Sequence, residues 1–223
     1  MISATWLGLR QPETLALERR RPFRLSLLAE GGKEIVTHRV VMRSLLTQSL
    51  IFGMLFSTLS STQQVFDTTF GRAESFPLWF GGVALLSGLM GLVNAALVER
   101  VGMRRLVTTV LAIEIVLMAL ALALTLSGVL SPGLQFAVYL CWMGVIFGQM
   151  GLTVGNLNAM AMEPMGHLAG LTASITGSAA TVLAVLLAVP AGLSFDGTPV
   201  PLMIGSLAMA ILALLVVLPL RST

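Results

Sequence analysis

Charged residues are scarce in this sequence. Asp, Glu, Lys and Arg make up 10% of its 223 residues, whereas 56% are hydrophobic, and the mean hydropathy is +0.93. A soluble domain carries about a quarter charged residues, so this chain has too few to cover its surface against water. The composition therefore indicates a protein surrounded by lipid.

Cysteine and histidine are also rare. The one cysteine, Cys141, excludes a disulfide within the chain. Glu163 and His167 have a spacing found in metal sites, but Pro164 and Gly166 interrupt the helix that would align them, and no third ligand is evident. Gly-rich phosphate loops, nucleophile elbows and CxxC pairs are missing too. We therefore expect no enzyme activity, no metal and no other cofactor.

Long apolar runs dominate what is present. A helix that crosses a bilayer needs about 20 predominantly apolar residues, and none of the runs alternates as a membrane β-strand would. Glu114 is the only formal charge inside them. The predicted spans are 44–66, 76–98, 106–127, 134–160, 168–195 and 199–220. The predicted fold class is an all-α membrane protein, a bundle of six transmembrane helices.

Basic residues are distributed unevenly between the two ends of the predicted bundle. Of the thirteen, eight precede the first span, three follow the second and one follows the last, whereas Arg72 alone lies on the opposite side. The positive-inside rule then predicts that both termini are cytoplasmic. The isoelectric point near 10.0 reflects this topology, and nucleic acid is not an expected partner.

The first 43 residues lack a span. Residues 1–9 are too short to cross a membrane and lack the charged start of a signal peptide, so we predict the end of a preceding transmembrane helix. We therefore expect a fragment, or a chain that begins inside a longer gene. Residues 10–43 are predicted to be a cytoplasmic connector, either one or two helices on the membrane surface or a solvated linker. Residues 44–220 form the predicted transmembrane domain.

The first and fourth spans carry many polar side chains. In lipid such groups must face protein or water, so these two spans are predicted to line a polar cavity. Any single one of these polar side chains more often makes a structural hydrogen bond between helices than it contacts a substrate. The candidate cavity residues are Gln48, Phe52, Phe56, Gln63, Tyr139, Trp142, Gln149 and Asn156.

Small residues recur on the second and fifth spans, for example at Gly88 and Gly91 and at Gly170 and Ser174. Such residues let helices approach closely. The sixth span and most of the third are instead rich in Leu, Ala, Val and Ile, which suits the lipid-facing perimeter.

Two segments resemble a known family. Residues 97–105, LVERVGMRR, are similar to the loop motif G-x-L-x-D-R-x-G-R-R of the major facilitator superfamily. The matching residues are Leu97, Arg100, Gly102 and Arg104, and the departures are Ala95, Glu99 and Met103. Residues 156–177, NLNAMAMEPMGHLAGLTASITG, resemble the junction of the tenth and eleventh helices in bicyclomycin-resistance (Bcr/CflA) drug:proton antiporters.

The resemblance covers the C-terminal half of that family, from the end of its sixth helix, with PETL at 12–15, to its twelfth. It implies one half of the major facilitator fold, facing a missing N-terminal six-helix half across a cavity. Helices seven and ten would line the cavity, eight and eleven would meet the other half, and nine and twelve would be peripheral. The implied partners are membrane lipid, a drug-like small molecule and protons.

The implied function is efflux of small molecules by proton antiport with alternating access, in the bacterial inner membrane. The alternative is a truncated or orphan six-helix protein that has no transport activity alone and acts as an assembly partner.

The resemblance also implies a conformational latch on the cytoplasmic side. Glu99 would accept hydrogen bonds from the first amides of the eleventh helix, near Gly170, and the contact would form in only one conformation. Alternatively, Glu99 caps its own loop or pairs with a neighbouring arginine. The candidate latch residues are Glu99, Arg100, Gly102, Arg104, Glu163, His167 and Gly170. Glu114, on a helix that should be peripheral, is expected to be neutral and hydrogen-bonded to a neighbouring helix.

Overall fold

Six long helices form the body of the protein. The computed structural model describes residues 25–219, together with Trp6 and Arg10. Apart from Trp6 and Arg10, residues 1–24, on which the predictions of a preceding helix, the early connector and the PETL segment rest, lie outside the described residues, as does Arg221. The helices are α1 (Leu25–Thr37), α2 (Arg39–Gln64), α3 (Phe76–Val101), α4 (Met103–Leu126), α5 (Pro132–Met162), α6 (Ala169–Leu193) and α7 (Val200–Val217).

The predicted all-α membrane bundle is confirmed. Five continuous helical stretches are long and apolar enough to cross a bilayer. One of them, with 62 residues, contains both α5 and α6, which a short 3-10 segment joins at Glu163–Leu168. The described chain therefore has six helices of membrane-spanning length, and it contains no β-strand.

The helix ends differ from the predicted apolar runs by up to five residues, and α6 and α7 are shorter than their runs at both ends. The first of the six begins at Arg39, five residues before the predicted span, and α5 is two residues longer at each end than the span 134–160. Hydrogen bonding along a helix continues past the apolar core, so hydropathy marks the crossing better than it marks the helix ends.

The order of packing follows an internal two-fold pattern. Helix α2 packs against α6 and α7, whereas α5 packs against α3 and α4. The pairs α2–α5 and α4–α7 are also in contact. If α2, α3 and α4 are exchanged with α5, α6 and α7 in that order, each of these contacts is replaced by another contact of the same set. Because α2 and α5 cross the bundle in opposite directions, this contact pattern is the one expected of two inverted repeats of three helices.

Close packing at small residues holds these helices together. A Cβ atom added to Gly53 of α2 would lie 2.9 Å from Met209 Sδ on α7 and 3.2 Å from Leu187 Cβ on α6. Inside lipid, van der Waals contact of this kind replaces the hydrophobic effect as a source of helix association. The interior of the bundle is filled by large apolar side chains such as Met54 and Ile146.

The two ends of the bundle differ in charge. We call the end formed by residues 30–43, 99–105 and 163–168 the basic end, because it carries Lys33 and five arginines. The opposite end, at residues 65–75, 127–131 and 194–199, carries Arg72 as its basic residue. This uneven distribution matches the one from which the topology was predicted.

Helix α1 is packed onto the basic end. Its Ile35 is fully buried, and a Cβ atom on Gly31 would lie 3.0 Å from Leu171 Cδ2 of α6. Ile35 forms a small apolar cluster with Val41 and Met165. This part of the predicted connector is therefore a docked helix, and not an extended linker.

Candidate functional site

The predicted cavity residues lie on α2 and α5, which contact each other. Phe52 and Phe56 are half-buried, with ring centroids 6.1 Å apart, and Gln63 is exposed. The other five are each at most 4% exposed, and they are Gln48, Tyr139, Trp142, Gln149 and Asn156. In this conformation most of the predicted set is enclosed within the bundle.

Hydroxyl groups on α2 are largely satisfied by their own helix. The Ser57 hydroxyl donates to the Gly53 carbonyl at 2.8 Å, and the Thr58 hydroxyl donates to the Met54 carbonyl at 2.7 Å. Such bonds to the preceding turn let a polar residue lie in an apolar interior. Much of the polarity of the first span is therefore compatible with packing alone.

Aromatic side chains fill the bundle near its opposite end. Tyr139 stacks on Trp142 with centroids 5.5 Å apart, and its hydroxyl lies 3.4 Å from Thr62 Oγ1. Phe136, one turn before Tyr139, has the Arg72 guanidinium 4.4 Å above its ring. Two of the predicted cavity residues thus belong to a packed cluster that closes this end.

Two hydrogen bonds join α5 to α3. The Asn156 side-chain amide donates to Asn94 Oδ1 at 2.7 Å, and the Ser87 hydroxyl donates to the Phe147 carbonyl at 2.6 Å. Asn94 was not among the predicted site residues. Its one signal in the sequence is that it is the only side-chain amide in the apolar run 76–98.

Gly102 and Arg104 shape the connection between α3 and α4. Gly102 has φ 85°, a value that favours glycine, and this single residue separates the two helices. The Arg104 guanidinium donates to the Leu218 carbonyl at 2.7 Å, just beyond the end of α7. Glu99 and Arg100 are exposed beside them.

The other latch residues lie at the junction of α5 and α6. Met165 leaves helical geometry at φ −114° and ψ 32°, which separates the two helices. His167 Nε2 lies 3.0 Å from Glu34 Oε1 on α1, a partner that no sequence pattern indicated. Gly170 and Glu163 are exposed. Among the described residues, no hydrogen bond or ion pair connects Glu99 to this junction.

The small-residue faces of α3 and α6 lie at the surface. A Cβ atom added to Gly82 or Gly88 of α3, or to Gly170 or Gly177 of α6, meets no other element within 4 Å in the described chain. Helix α3 is the least buried of the spanning helices, since only 6% of its most apolar 18-residue stretch is buried inside the bundle. These four glycines do not pack against another element of the described bundle, whereas Ser87 and Gly91 of α3 contact Gly151 of α5.

Glu114 lies on a cavity between α3, α4 and α5. The cavity has a volume of about 710 Å³ and is lined almost entirely by apolar groups. Glu114 is 1% exposed, and neither of its carboxyl oxygens has a hydrogen-bond partner among the described residues. The expected hydrogen bond to a neighbouring helix is therefore wrong for the described residues, because no side chain of α3 or α5 is placed to bond the Glu114 carboxyl group.

In the part of the chain that the structure describes, no group of three or more His, Cys, Asp or Glu side chains is arranged to hold a metal ion.

Six apolar helices with a basic end and an enclosed polar interior define a multi-pass α-helical membrane protein. The chain is similar to the "Uncharacterized MFS-type transporter YdgK" of Bacillus subtilis (strain 168), with 26% identity over 215 residues. The match covers 91% of this chain and 51% of that protein, so the chain spans about half the length of this relative. No family model and no solved structure matches the chain. By its name, this relative is a transporter of the major facilitator type.

Proposed function

We propose that this chain is one six-helix half of a small-molecule efflux transporter of the Bcr/CflA type. It lies in the bacterial inner membrane with both termini in the cytoplasm. Joined to a second six-helix half, it exports drug-like compounds in exchange for protons by alternating access. The similarity to an MFS-type transporter over 91% of the chain supports the transport role.

The exposed small-residue faces of α3 and α6 are the observation that carries this proposal. Glycine at Gly88 and Gly177 permits close contact between helices, and such contact is how membrane helices associate. A Cβ atom at Gly88 or Gly177 meets no other element of the described chain, which itself spans about half of its relative. The second half would pack against them.

The substrate would meet α2 first. Phe52, Phe56 and Gln63 keep exposed surface in this conformation, so they are proposed to contact the substrate directly. The enclosed members of the set, such as Gln149 and Tyr139, would line the passage when α2 and α5 move apart.

Glu99 is proposed to act as the latch in the other conformation. Here it is exposed at the end of α3, while His167 is held by Glu34. A carboxylate at the first turn of α6 would stabilise that conformation by typically 0.3–1 kcal/mol. Glu99→Gln should then shift the balance of inward-open and outward-open states in the complete transporter, and an unchanged balance would refute the latch.

Co-expression tests the proposal. Drug-sensitive cells receive this chain alone, or together with a six-helix amino-terminal half encoded beside it, and efflux of a cationic dye is measured with and without an uncoupler. We expect uncoupler-sensitive efflux from the pair only. If the chain assembles with that half but moves no dye, the assembly-partner function is correct instead.

Matched variants connect the test to the structure. Gly88→Trp blocks the exposed small-residue face of α3, whereas Leu120→Trp places the same side chain at an exposed position of α4. The first should abolish co-purification of the two halves and the second should not.

A further inference from the structure

The cavity between α3, α4 and α5 is open to the lipid side of the bundle. Trp79 and Leu86 of α3 and Ile113 and Leu117 of α4 line it, and all four side chains are exposed apolar groups. Its volume, about 710 Å³, is in the range of sites that hold drug-sized ligands. A ligand would enter it from the bilayer and would need an apolar body.

Two buried polar groups on the cavity wall lack partners. They are the Glu114 carboxyl group, through both oxygens, and the Gln149 side-chain nitrogen. The Gln149 side-chain oxygen, by contrast, accepts from the Thr153 hydroxyl at 3.2 Å. A buried polar group without a partner is destabilising, and a buried carboxylate without a cation is more so.

The described residues supply no cation for Glu114. No Lys, Arg or His lines the cavity, and Glu114 is the twelfth of the 24 residues of α4, far from either end of the bundle. Mid-bilayer depth disfavours a hydrated metal ion and a lipid headgroup, since both would have to leave water. A cation that carries its own apolar body avoids that cost.

We propose that this cavity binds amphiphilic amines. The ammonium group of the ligand donates hydrogen bonds to Glu114, and its apolar body lies along Leu86, Ile113 and Leu117. The Gln149 nitrogen donates to an oxygen of the ligand where one is present. Phe52, Phe56 and Gln63 of the proposed passage do not line this cavity, and Gln149 is the residue that the two sites share. Binding does not require the chain to be a transporter.

Equilibrium binding tests the site. The purified chain in phosphatidylcholine nanodiscs is titrated with radiolabelled decylamine and with decanol, and binding to empty nanodiscs is subtracted. We expect Glu114→Gln to weaken decylamine binding at least about tenfold and to leave decanol binding unchanged. Glu74→Gln, which removes an exposed carboxylate at the opposite end, should bind both as the wild type does. Equal decylamine affinity in wild type and Glu114→Gln, or no binding above empty nanodiscs, would overturn the proposal.

The ammonium group of a lipid could occupy the same site as a free amine. A second set of nanodiscs that contain phosphatidylethanolamine tests this alternative. The decylamine affinity should not change there. Competition by this lipid would overturn the assignment to a free amphiphile.

Cys141 reports on where the ligand lies. It is the only cysteine of the chain, it is exposed, and it lines the cavity. Decylamine should slow its reaction with N-ethylmaleimide in the wild type and not in Glu114→Gln. Cys141→Phe, which fills the cavity and keeps Glu114, should also weaken decylamine binding. Wild-type affinity in Cys141→Phe would place any binding elsewhere and overturn the proposal.

Discussion

Gly151 of α5 lies directly against the backbone of α3 at Gly91. A Cβ atom on Gly151 would be 2.8 Å from the Gly91 nitrogen and 2.8 Å from the Ser87 carbonyl oxygen. Both neighbours are backbone atoms, which cannot move aside as a flexible side chain would. This contact sets how closely the two helices approach, and with it the position of the cavity that contains Glu114.

Gly151→Ala should therefore destabilise the protein by about 1–3 kcal/mol, the usual cost of overpacking. Unfolding in detergent, followed by circular dichroism, measures the loss. Gly155→Ala is the matched control, because a Cβ atom there meets nothing within 4 Å. Alanine favours a helix over glycine, so this control should be neutral or slightly stabilising. Equal destabilisation by both variants would contradict the close contact.

Asn94 and Asn156 should show a measurable coupling energy. Their 2.7 Å hydrogen bond joins α3 to α5, and such bonds in membrane proteins average about 0.6 kcal/mol. A double-mutant cycle of Asn94→Ala and Asn156→Ala, read by unfolding in detergent, measures it. A cycle of Asn94→Ala with Asn158→Ala should give no coupling. A zero value for the first cycle would mean that the two amides are not bonded.

Arg104 should stabilise the end of α7. Its guanidinium donates to the Leu218 carbonyl, an orphan acceptor at the helix terminus, and a bond to a charged group contributes about 1.5–3 kcal/mol when it is well formed. This pair is partly exposed, so we expect the lower part of that range or less. Arg104→Ala should speed amide hydrogen exchange in the last turn of α7, whereas Arg105→Ala should not. Equal exchange in both variants would contradict the role of Arg104.

Asp196 should titrate below its ordinary range. The Thr198 hydroxyl and backbone amide both donate to its Oδ1, at 2.7 and 2.9 Å, and these bonds lower the pKa of Asp196. The depressed pKa stabilises the turn above the ordinary aspartate pKa, and this stability is lost as the pH falls through the lowered value. Thr198→Val should return the pKa toward its usual range, as measured by NMR titration of the carboxyl carbon. An unchanged pKa would exclude the hydroxyl as its main cause.

The apolar runs predicted the helices well because a bilayer leaves helix formation as the only local solution for such segments. Even the single glycine between α3 and α4 was visible as part of a motif. The side-chain contacts between these helices were harder to predict from the sequence. The hydrogen bond from Asn156 to Asn94 joins residues 62 positions apart, and the pairing of His167 with Glu34 depends on how α1 docks.

The surroundings of Glu114 show more clearly what the sequence alone does not predict. A lone carboxyl group in an apolar run suggested a hydrogen bond to a neighbouring helix, which is the common solution. Whether such a bond forms depends on which side chains of α3 and α5 lie opposite, and that depends on helix rotation and crossing. Periodicity alone does not specify either one.

The central claim is that six helices cross the bilayer with the basic end in the cytoplasm. Single cysteines at Glu74, on the opposite end, and at Arg105, on the basic end, test it directly in a Cys141→Ser background. Intact cells are treated with a membrane-impermeant maleimide, before and after permeabilisation. We expect Glu74→Cys to be labelled in intact cells and Arg105→Cys to be labelled only after permeabilisation. Labelling of Arg105→Cys in intact cells would contradict it.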